Sequence, residues 1–222
     1  MRKIVIISVI LFSFFSCIEK TKKAEPPRDG VVYEGDSLNF LKKTYKGGNL
    51  ASEEPFVNGR MHGEAKYYYP NGKLRRTIEY KEARRNGLFV YYYDTGEKYS
   101  DEQYVNGKVN GLKQNYMKNG TVTMSCSFVD GKPVPPLEEY DAGGKKIKQP
   151  TVKFTLSGGT LKMELSDRAF TSASFFKIEK DKLVEIPTEK GVGRLAGAKK
   201  GVQIRAYYKS PRGAEGAVDV KY

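Results

Sequence analysis

Residues 67–120 read YYYPNGKLRRTIEYKEARRNGLFVYYYDTGEKYSDEQYVNGKVNGLKQNYMKNG, and within them an aromatic segment followed by a glycine turn returns every 24 residues. The same period extends over residues 43–146. Five glycines mark it most clearly, each 24 residues after the last: Gly48, Gly72, Gly96, Gly120 and Gly144. A fixed period of this size indicates a unit that buries its apolar face only by stacking on copies of itself.

Each repeat has the pattern of a β-hairpin. Runs of β-forming residues flank the glycines, and Asn71 or Asn119 precedes the glycine where a tight turn requires a positive φ. A second turn follows at Asn58-Gly59, Asn106-Gly107 and Asp130-Gly131. The sequence therefore predicts a long meander of antiparallel strands in which the five glycines are structural turns.

These repeats resemble the MORN repeat proteins, and more closely the variant MORN repeat of bacteria. The matching positions are Gly87, Tyr91 to Tyr93, Gly96, Tyr104 and Asn106-Gly107-Lys108. Glu82-Ala83 departs from the pattern, which has Asn-Gly there. The resemblance covers about half of the chain. It implies an elongated sheet of stacked hairpins that serves contact rather than catalysis, and some bacterial relatives carry an antitoxin label.

The start of the chain has the features of an export signal. Arg2 and Lys3 precede an apolar run at residues 4–15, which is too short to span a bilayer as a stable helix, and Ser16-Cys17 follows. The pattern predicts a lipoprotein signal peptide over residues 1–16, with a plain secretory signal as the alternative. Residues 17–40 are predicted to be a lipidated Cys17 and a polar tether. The protein is therefore expected to be exported and anchored in a membrane of the bacterial cell envelope, the outer membrane.

The charge of the chain favours anionic partners. Of 222 residues, 39 are Lys or Arg and 26 are Asp or Glu, which gives a formal net charge of +13. A charge of this sign attracts anionic ligands and repels cationic ones.

Alternation along the predicted strands separates two faces. Even-numbered positions such as Leu88, Val90 and Leu112 are apolar, and this face is predicted to be buried. The other face carries aromatics that form either cross-strand stacks or a contact surface bordered by arginine. The 24-residue register places Tyr67 beside Tyr91 and Tyr69 beside Tyr93. The candidate binding surface consists of Tyr67, Tyr69, Arg75, Arg84, Arg85, Phe89, Tyr91 and Tyr93.

The period ends near residue 147. Residues 148–222 alternate apolar and polar side chains in about seven short segments, and they carry 15 basic and 8 acidic residues, a net charge of +7. The pattern predicts a small β-sandwich of immunoglobulin or fibronectin-III type. The expected organisation is all-β, with a repeat array over residues 41–147 and the sandwich over residues 148–222.

No group of residues has the pattern of a catalytic, metal or cofactor site. The one histidine, His62, aligns with Asn86 and Asn110 in the following repeats and is interpreted as a left-handed turn residue. Cys126 alternates with apolar residues and is predicted to be a buried thiol. Neighbouring carboxylates such as Glu138-Glu139 point to opposite faces of a strand. We therefore predict no catalytic residue, no metal and no cofactor.

These expectations lead to one functional hypothesis and two alternatives. The hypothesis is a non-enzymatic envelope lipoprotein whose repeat sheet binds a protein or an anionic glycan or lipid. The first alternative is an antitoxin-like protein that caps a partner toxin. The second is a hydrolase of envelope polymers, which requires two converging carboxylates. Tyrosines among basic residues also suit single-stranded nucleic acid, but the export signal argues against that partner.

Overall fold

The computed structural model describes residues 28–222, and these residues form strands, turns and loops with no helix. The expectation of an all-β fold is confirmed. The predicted signal peptide, Cys17 and the first part of the predicted tether lie outside the described residues. Contacts divide the chain into two compact units, the first ending at Tyr99 and the second beginning at Ser100.

The first unit is a meander of antiparallel strands. Its strands are β1 (Gly30–Gly35), β2 (Phe40–Lys46), β3 (Asn49–Val57), β4 (Arg60–Met61), β5 (Gly63–Tyr68), β6 (Leu74–Lys81) and β7 (Arg84–Tyr92). Their order is β1-β2-β3-β5-β6-β7, and β4 pairs with β3. Strand β1 pairs with β2 along its whole length. Residues 30–35 therefore belong to the sheet rather than to a polar tether, because Val31, Val32 and Tyr33 are good β-formers.

One kind of turn recurs with the 24-residue period. The N–H of Tyr69 donates to the carbonyl of Lys73 (2.8 Å), and the N–H of Gly72 donates to the carbonyl of Tyr69 (2.9 Å). The same pair of bonds runs from Tyr93 to Glu97 (2.8 Å) and from Gly96 to Tyr93 (3.0 Å). The glycines of the series have positive φ, with values of 81° at Gly48, 80° at Gly72, 107° at Gly96, 82° at Gly120 and 79° at Gly144.

A second kind of turn connects successive hairpins with two left-handed residues. In Asn58-Gly59 the φ values are 50° and 71°, and in Asn106-Gly107 they are 49° and 85°. Two positive φ values are typical of type I′ turns. Glu82-Ala83 adopts the same conformation, with φ of 48° and 63°, although it lacks a glycine. Ala83 is therefore strained, because its Cβ crowds the following carbonyl in this region.

We expect Ala83→Gly to raise the free energy of unfolding of the first unit by about 0.5–1 kcal/mol, because glycine adopts this conformation without the Cβ clash. Gly59→Ala is the reciprocal control, since its φ is 71° and no atom lies within 4 Å of the added Cβ. It should lower the stability by a similar amount. Urea denaturation measures both changes. A less stable Ala83→Gly protein would contradict a left-handed turn at residues 82–83.

The expectation that even-numbered residues form the buried face is correct for Ile78, Val90 and Met124, which are 2%, 3% and 6% exposed, but it fails at other positions. Two-residue turns pair an even-numbered residue with an odd-numbered one, as at Lys81 opposite Arg84. Residues that share one face of the sheet are therefore even-numbered on β6 and odd-numbered on β7. The buried row on that face is Ala65, Ile78 and Phe89, which are 0%, 2% and 3% exposed. Two even-numbered leucines predicted to be buried are instead exposed, Leu88 at 40% and Leu112 at 47%.

The second unit contains the last repeats and two further sheets. Strand β8 (Lys98–Val105) crosses the division between the units, and the later strands are β9 (Lys108–Tyr116), β10 (Val122–Val129), β11 (Lys132–Glu139), β12 (Val152–Ser157), β13 (Thr160–Leu165), β14 (Thr171–Glu179), β15 (Lys182–Ile186), β16 (Thr188–Glu189), β17 (Val192–Ala196), β18 (Gln203–Lys209) and β19 (Glu215–Lys221). Within this unit, the strand order in the large antiparallel sheet is β8-β9-β10-β11. The four-stranded sheets are β12-β13-β17-β16 and β15-β14-β18-β19.

One hydrophobic core joins the last repeats to the C-terminal sheets. Cys126 and Leu137 belong to the same buried cluster as Phe175 and Ile204. At the contact between β11 and β19, a Cβ on Gly216 would lie 2.7 Å from Leu137 Cδ2, so glycine permits the close approach. The compact unit therefore begins at Ser100, whereas the sequence analysis placed a domain boundary at residues 147 and 148.

Candidate functional site

The structure brings three side chains of the first unit into one row across β5, β6 and β7. Arg76 lies opposite Tyr67 on one side and opposite Tyr91 on the other. Its guanidinium carbon is 4.2 Å from the centroid of the Tyr67 ring, which is a cation–π contact. The prediction that Tyr67 lies directly beside Tyr91 is therefore wrong, because β6 runs between their strands and places Arg76 between the two tyrosines.

Several tyrosines of the predicted surface have partners inside the sheet. The Tyr67 hydroxyl donates to Glu54 (2.9 Å), and the Tyr69 hydroxyl donates to the Tyr92 carbonyl (2.8 Å). Burial, followed by the hydrogen bond to Glu54, raises the pKa of Tyr67 above its usual range. These contacts favour a stabilising role, because removing either hydroxyl loses a hydrogen bond within the sheet.

Phe89 does not belong to an accessible surface. It is 3% exposed, its ring lies 4.7 Å from that of Tyr91, and Arg85 lies over it at 5.3 Å. The prediction of Phe89 as a binding-surface residue is therefore wrong. The cause is that even-numbered and odd-numbered positions exchange faces between neighbouring strands. This exchange places Phe89 in the buried row.

The predicted arginines lie at opposite ends of the strands. Arg75 is at the start of β6, whereas Arg84 and Arg85 begin β7 opposite Lys81 and Tyr80. Lys81 lies six positions after Arg75 along the β-strand, a distance of about 20 Å. The candidate surface is therefore two regions. The first holds Arg75, Tyr69 and Tyr93, and the Tyr93 ring packs edge-on against Tyr99 at 5.2 Å.

The second region, which we call the basic end, comprises Arg60, Lys81, Arg84 and Arg85. The Ala83 N–H donates to the Met61 carbonyl (2.8 Å), and this bond brings the 82–83 turn beside Arg60. Lys81 and Arg84 lie directly opposite each other and are both exposed. Neither forms an ion pair with any of residues 28–222. The closest carboxylate of the turn, Glu82, is engaged by Arg60 at 4.0 Å.

Sequence reasoning found Arg84 and Arg85 but missed Lys81 and Arg60. Lys81 is recognisable only when the turn at residues 82–83 is assigned, because the turn makes Lys81 the partner of Arg84. Arg60 is 24 residues before Arg84, and the same period identifies it as the equivalent position of the previous repeat.

Residues 61–82 match the family model described as MORN repeat variant. This segment is similar to a MORN repeat. It runs from the end of β4 through β6 to the first residue of the 82–83 turn. No curated protein gives a significant match to the chain.

The MORN-like geometry extends beyond the matched residues. The turn that contains Gly72 lies inside the match, and its hydrogen-bond pattern returns in the second unit, where Met117 donates to Thr121 (2.8 Å) and Gly120 donates to Met117 (2.9 Å). The repeats are therefore equivalent in backbone structure as well as in sequence.

In the second unit, Cys126 has the environment of a structural thiol. It is 1% exposed, and burial raises its pKa to about 11. A thiol with this pKa is protonated at neutral pH and is a poor nucleophile.

Two buried glutamates line a cavity of about 550 Å³ in the second unit. Glu102 is 7% exposed and pairs with Lys113 at 3.5 Å, and Glu139 is 3% exposed and accepts a hydrogen bond from Ser210 (2.9 Å). They stand on β8 and β11, three strand spacings or about 14 Å apart. Each carboxylate is held by its own partner.

His62 connects β4 to β5, where its backbone N–H donates to the Pro55 carbonyl (3.0 Å). Its φ is not positive, and neither is that of Asn86 or Asn110; the glycine that follows each of them has the positive φ. The left-handed interpretation of His62 is therefore wrong.

Residues 28–222 contain no cluster of three or more His, Cys, Asp or Glu side chains that could hold a metal ion. A helix of the length and apolar character needed to cross a membrane is also absent from this part of the chain.

Proposed function

We propose that the protein is a non-enzymatic binding protein of the bacterial cell envelope, which holds an anionic glycan or lipid, or an acidic protein surface, with the basic end of its first unit. The observation that carries the proposal is the pair Lys81 and Arg84, directly opposite each other and without an ion-pair partner among residues 28–222. Like charges opposite each other destabilise a sheet. An anionic ligand removes that repulsion on binding.

The neighbouring contacts support this assignment. Arg60 and Glu82 are 68% and 69% exposed and 4.0 Å apart, so their ion pair is weak and does not neutralise the basic end. The chain as a whole has a net charge of +13, which attracts anions over a longer range.

Replacing Lys81 and Arg84 together by alanine is expected to weaken cosedimentation with envelope fragments at least tenfold, because two charge-assisted contacts are lost. The matched control is Lys180→Ala with Lys182→Ala, two exposed lysines near the β14–β15 turn that give the same change in charge. Equal weakening by both variants would show that only net charge matters. Binding unchanged by the first variant would contradict the proposed site.

Export and anchoring are part of the same proposal. They rest on Arg2, Lys3, the apolar run at residues 4–15 and Cys17 in the sequence. Two or three acyl chains on this cysteine would hold the protein at the membrane.

Cys17→Ser is expected to move the protein from the membrane fraction to the soluble exported fraction. The melting temperature is expected to remain unchanged, because Cys17 precedes β1, the first described strand. Fractionation followed by immunoblotting measures the partition. A mutant that stays in the membrane fraction would contradict lipid anchoring at Cys17.

We also propose that residues 148–222 form an immunoglobulin-like sandwich. When β12 to β19 are named in chain order A, B, C, C′, D, E, F and G, the two sheets are A-B-E-D and C′-C-F-G. This order is that of a constant-type immunoglobulin domain with one added strand beside C. Fully buried Leu161, Phe175 and Ile204 supply core residues from both sheets.

The partners of Glu102 and Glu139 support a non-enzymatic role over hydrolysis of envelope polymers. Glycoside hydrolysis uses carboxyl groups about 5–10 Å apart. Lys113 and Ser210 each engage one of these carboxylates, which leaves neither glutamate without a partner to serve as a free acid or base.

A further inference from the structure

A loop of the second unit borders a cavity that the proposed function does not use. Residues 197–202 connect β17 to β18, and they line a cavity of about 480 Å³ together with the neighbouring parts of β14, β17 and β18. Positive φ values at Gly197 (63°) and Gly201 (88°) shape the loop at its two ends. The volume lies within the range of small-molecule sites, about 300–1,000 Å³.

The charges around this cavity are of one sign. Lys177, Lys199 and Lys200 line it, and no aspartate or glutamate does. Lys177 pairs with Glu179, but Lys199 and Lys200 form no ion pair with residues 28–222. Lys221 lies beside the loop, because its Cε is 3.5 Å from the position of a Cβ on Gly201, but it does not line the cavity.

The loop also presents backbone donors. Gly197 donates to the Gly159 carbonyl (3.0 Å), Gly201 donates to the Tyr222 carbonyl, and Val202 donates to the Lys199 carbonyl (3.2 Å). The N–H groups of Ala198, Lys199 and Lys200 have no acceptor among residues 28–222. Consecutive backbone N–H groups beside lysine ammonium groups are the donors that bind phosphate oxygens in proteins.

Apolar side chains cover another part of the cavity wall, from Ile178, Leu195 and Val202. A free phosphate ion has no group to contact them, whereas the carbon face of a sugar does. We propose that this cavity binds a phosphate carried on a sugar, with the phosphate at residues 198–200 and the sugar ring toward Leu195. This second site rests on the proposed function, because its ligand belongs to the same class of anionic envelope components. It lies in the second unit of the chain.

Titration of the ¹⁵N-labelled protein with glucose 1-phosphate tests the proposal. The amide resonances of residues 198–200 are expected to shift, while glucose alone leaves them unchanged and inorganic phosphate binds more weakly. Lys199→Ala with Lys200→Ala should weaken glucose 1-phosphate at least tenfold through the loss of two charged contacts. Lys180→Ala with Lys182→Ala should leave it unchanged.

Absence of amide shifts with glucose 1-phosphate, or equal affinity in the Lys199 and Lys200 variant, would overturn the site. Tighter binding of inorganic phosphate than of glucose 1-phosphate would overturn the sugar assignment, and so would stronger competition by phosphatidylglycerol vesicles at equal phosphate concentration. A different result would contradict the proposed function and leave the cavity site intact. In that case glucose 1-phosphate still binds, but substitution of Lys81 and Arg84 leaves envelope binding intact.

Discussion

Leu137→Ala is expected to lower the free energy of unfolding of the second unit by about 2–5 kcal/mol, the range for a leucine truncated in a core. Leu137 is 1% exposed and belongs to the core that contains both Cys126 and Phe175. Its Cδ2 approaches the backbone of Gly216 in β19, where no side chain is present to fill the resulting cavity. The loss should therefore affect the last repeats and the C-terminal sheets together.

Urea denaturation followed by fluorescence and circular dichroism measures this effect, and Leu156→Ala is the matched control. Leu156 is 57% exposed, so its truncation should change the stability by less than about 0.5 kcal/mol. Contradictory results would be a loss below about 1 kcal/mol for Leu137→Ala, or C-terminal strands that unfold while the last repeats stay intact.

Gly87→Ala is the second substitution with a large expected effect, a loss of about 2–6 kcal/mol from the first unit. Gly87 has a φ of 119°, where a Cβ imposes backbone strain of about 1–3 kcal/mol. The new Cβ would also lie 1.9 Å from Glu79 Oε2 and 2.9 Å from Glu79 Cβ. Because the second contact is near the backbone of β6, rotation of Glu79 alone does not remove it, and overpacking adds about 1–3 kcal/mol.

Gly111→Ala separates the two contributions. Gly111 is the equivalent position 24 residues later, with a φ of 122°, but its added Cβ would lie 3.1 Å from Gln103 Cβ and meet no closer atom. The loss of stability in Gly111→Ala should come mainly from backbone strain. Denaturation curves of the two variants give the difference, and equal losses would show that the Glu79 contact contributes nothing. Glu79→Ala in the Gly87→Ala background should recover part of the stability.

The repeat could be predicted from the sequence because its signal is local. Gly72 and Gly96 occupy turns that only residues tolerant of positive φ accept at low cost, and these turns fix the hairpins. The buried face could not be predicted from numbering alone. It depends on which residues oppose each other, and the pairing of Lys81 with Arg84 exchanges even and odd positions between strands. Phe89 and Leu88 were therefore assigned to the wrong environments.

The domain boundary was also beyond local reasoning. The 24-residue period ends near residue 147, yet Leu137 packs on Gly216 and Ser210 bonds to Glu139. Such contacts join residues about 70 positions apart and leave no mark on the periodicity.

For the candidate site, sequence reasoning identified the basic residues but not their arrangement. Arg84 was predicted, whereas its partner Lys81 depends on the left-handed conformation of Glu82-Ala83, which departs from the Asn-Gly of the other repeats. The loop at residues 197–202 was missed altogether, since Lys199-Lys200 resembles any solvated basic turn until the free backbone donors beside it are known.

The central claim is that Lys81 and Arg84, which form no ion pair with residues 28–222, hold an anionic partner, and the salt dependence of binding tests it most directly. Affinity for purified envelope fragments is measured between low and high ionic strength for the native protein and for Lys81→Ala with Arg84→Ala. Because these contacts are exposed and screened, native affinity should fall steeply with salt, and the variant should bind weakly with a much shallower dependence. Identical salt dependences for the two proteins would contradict the claim.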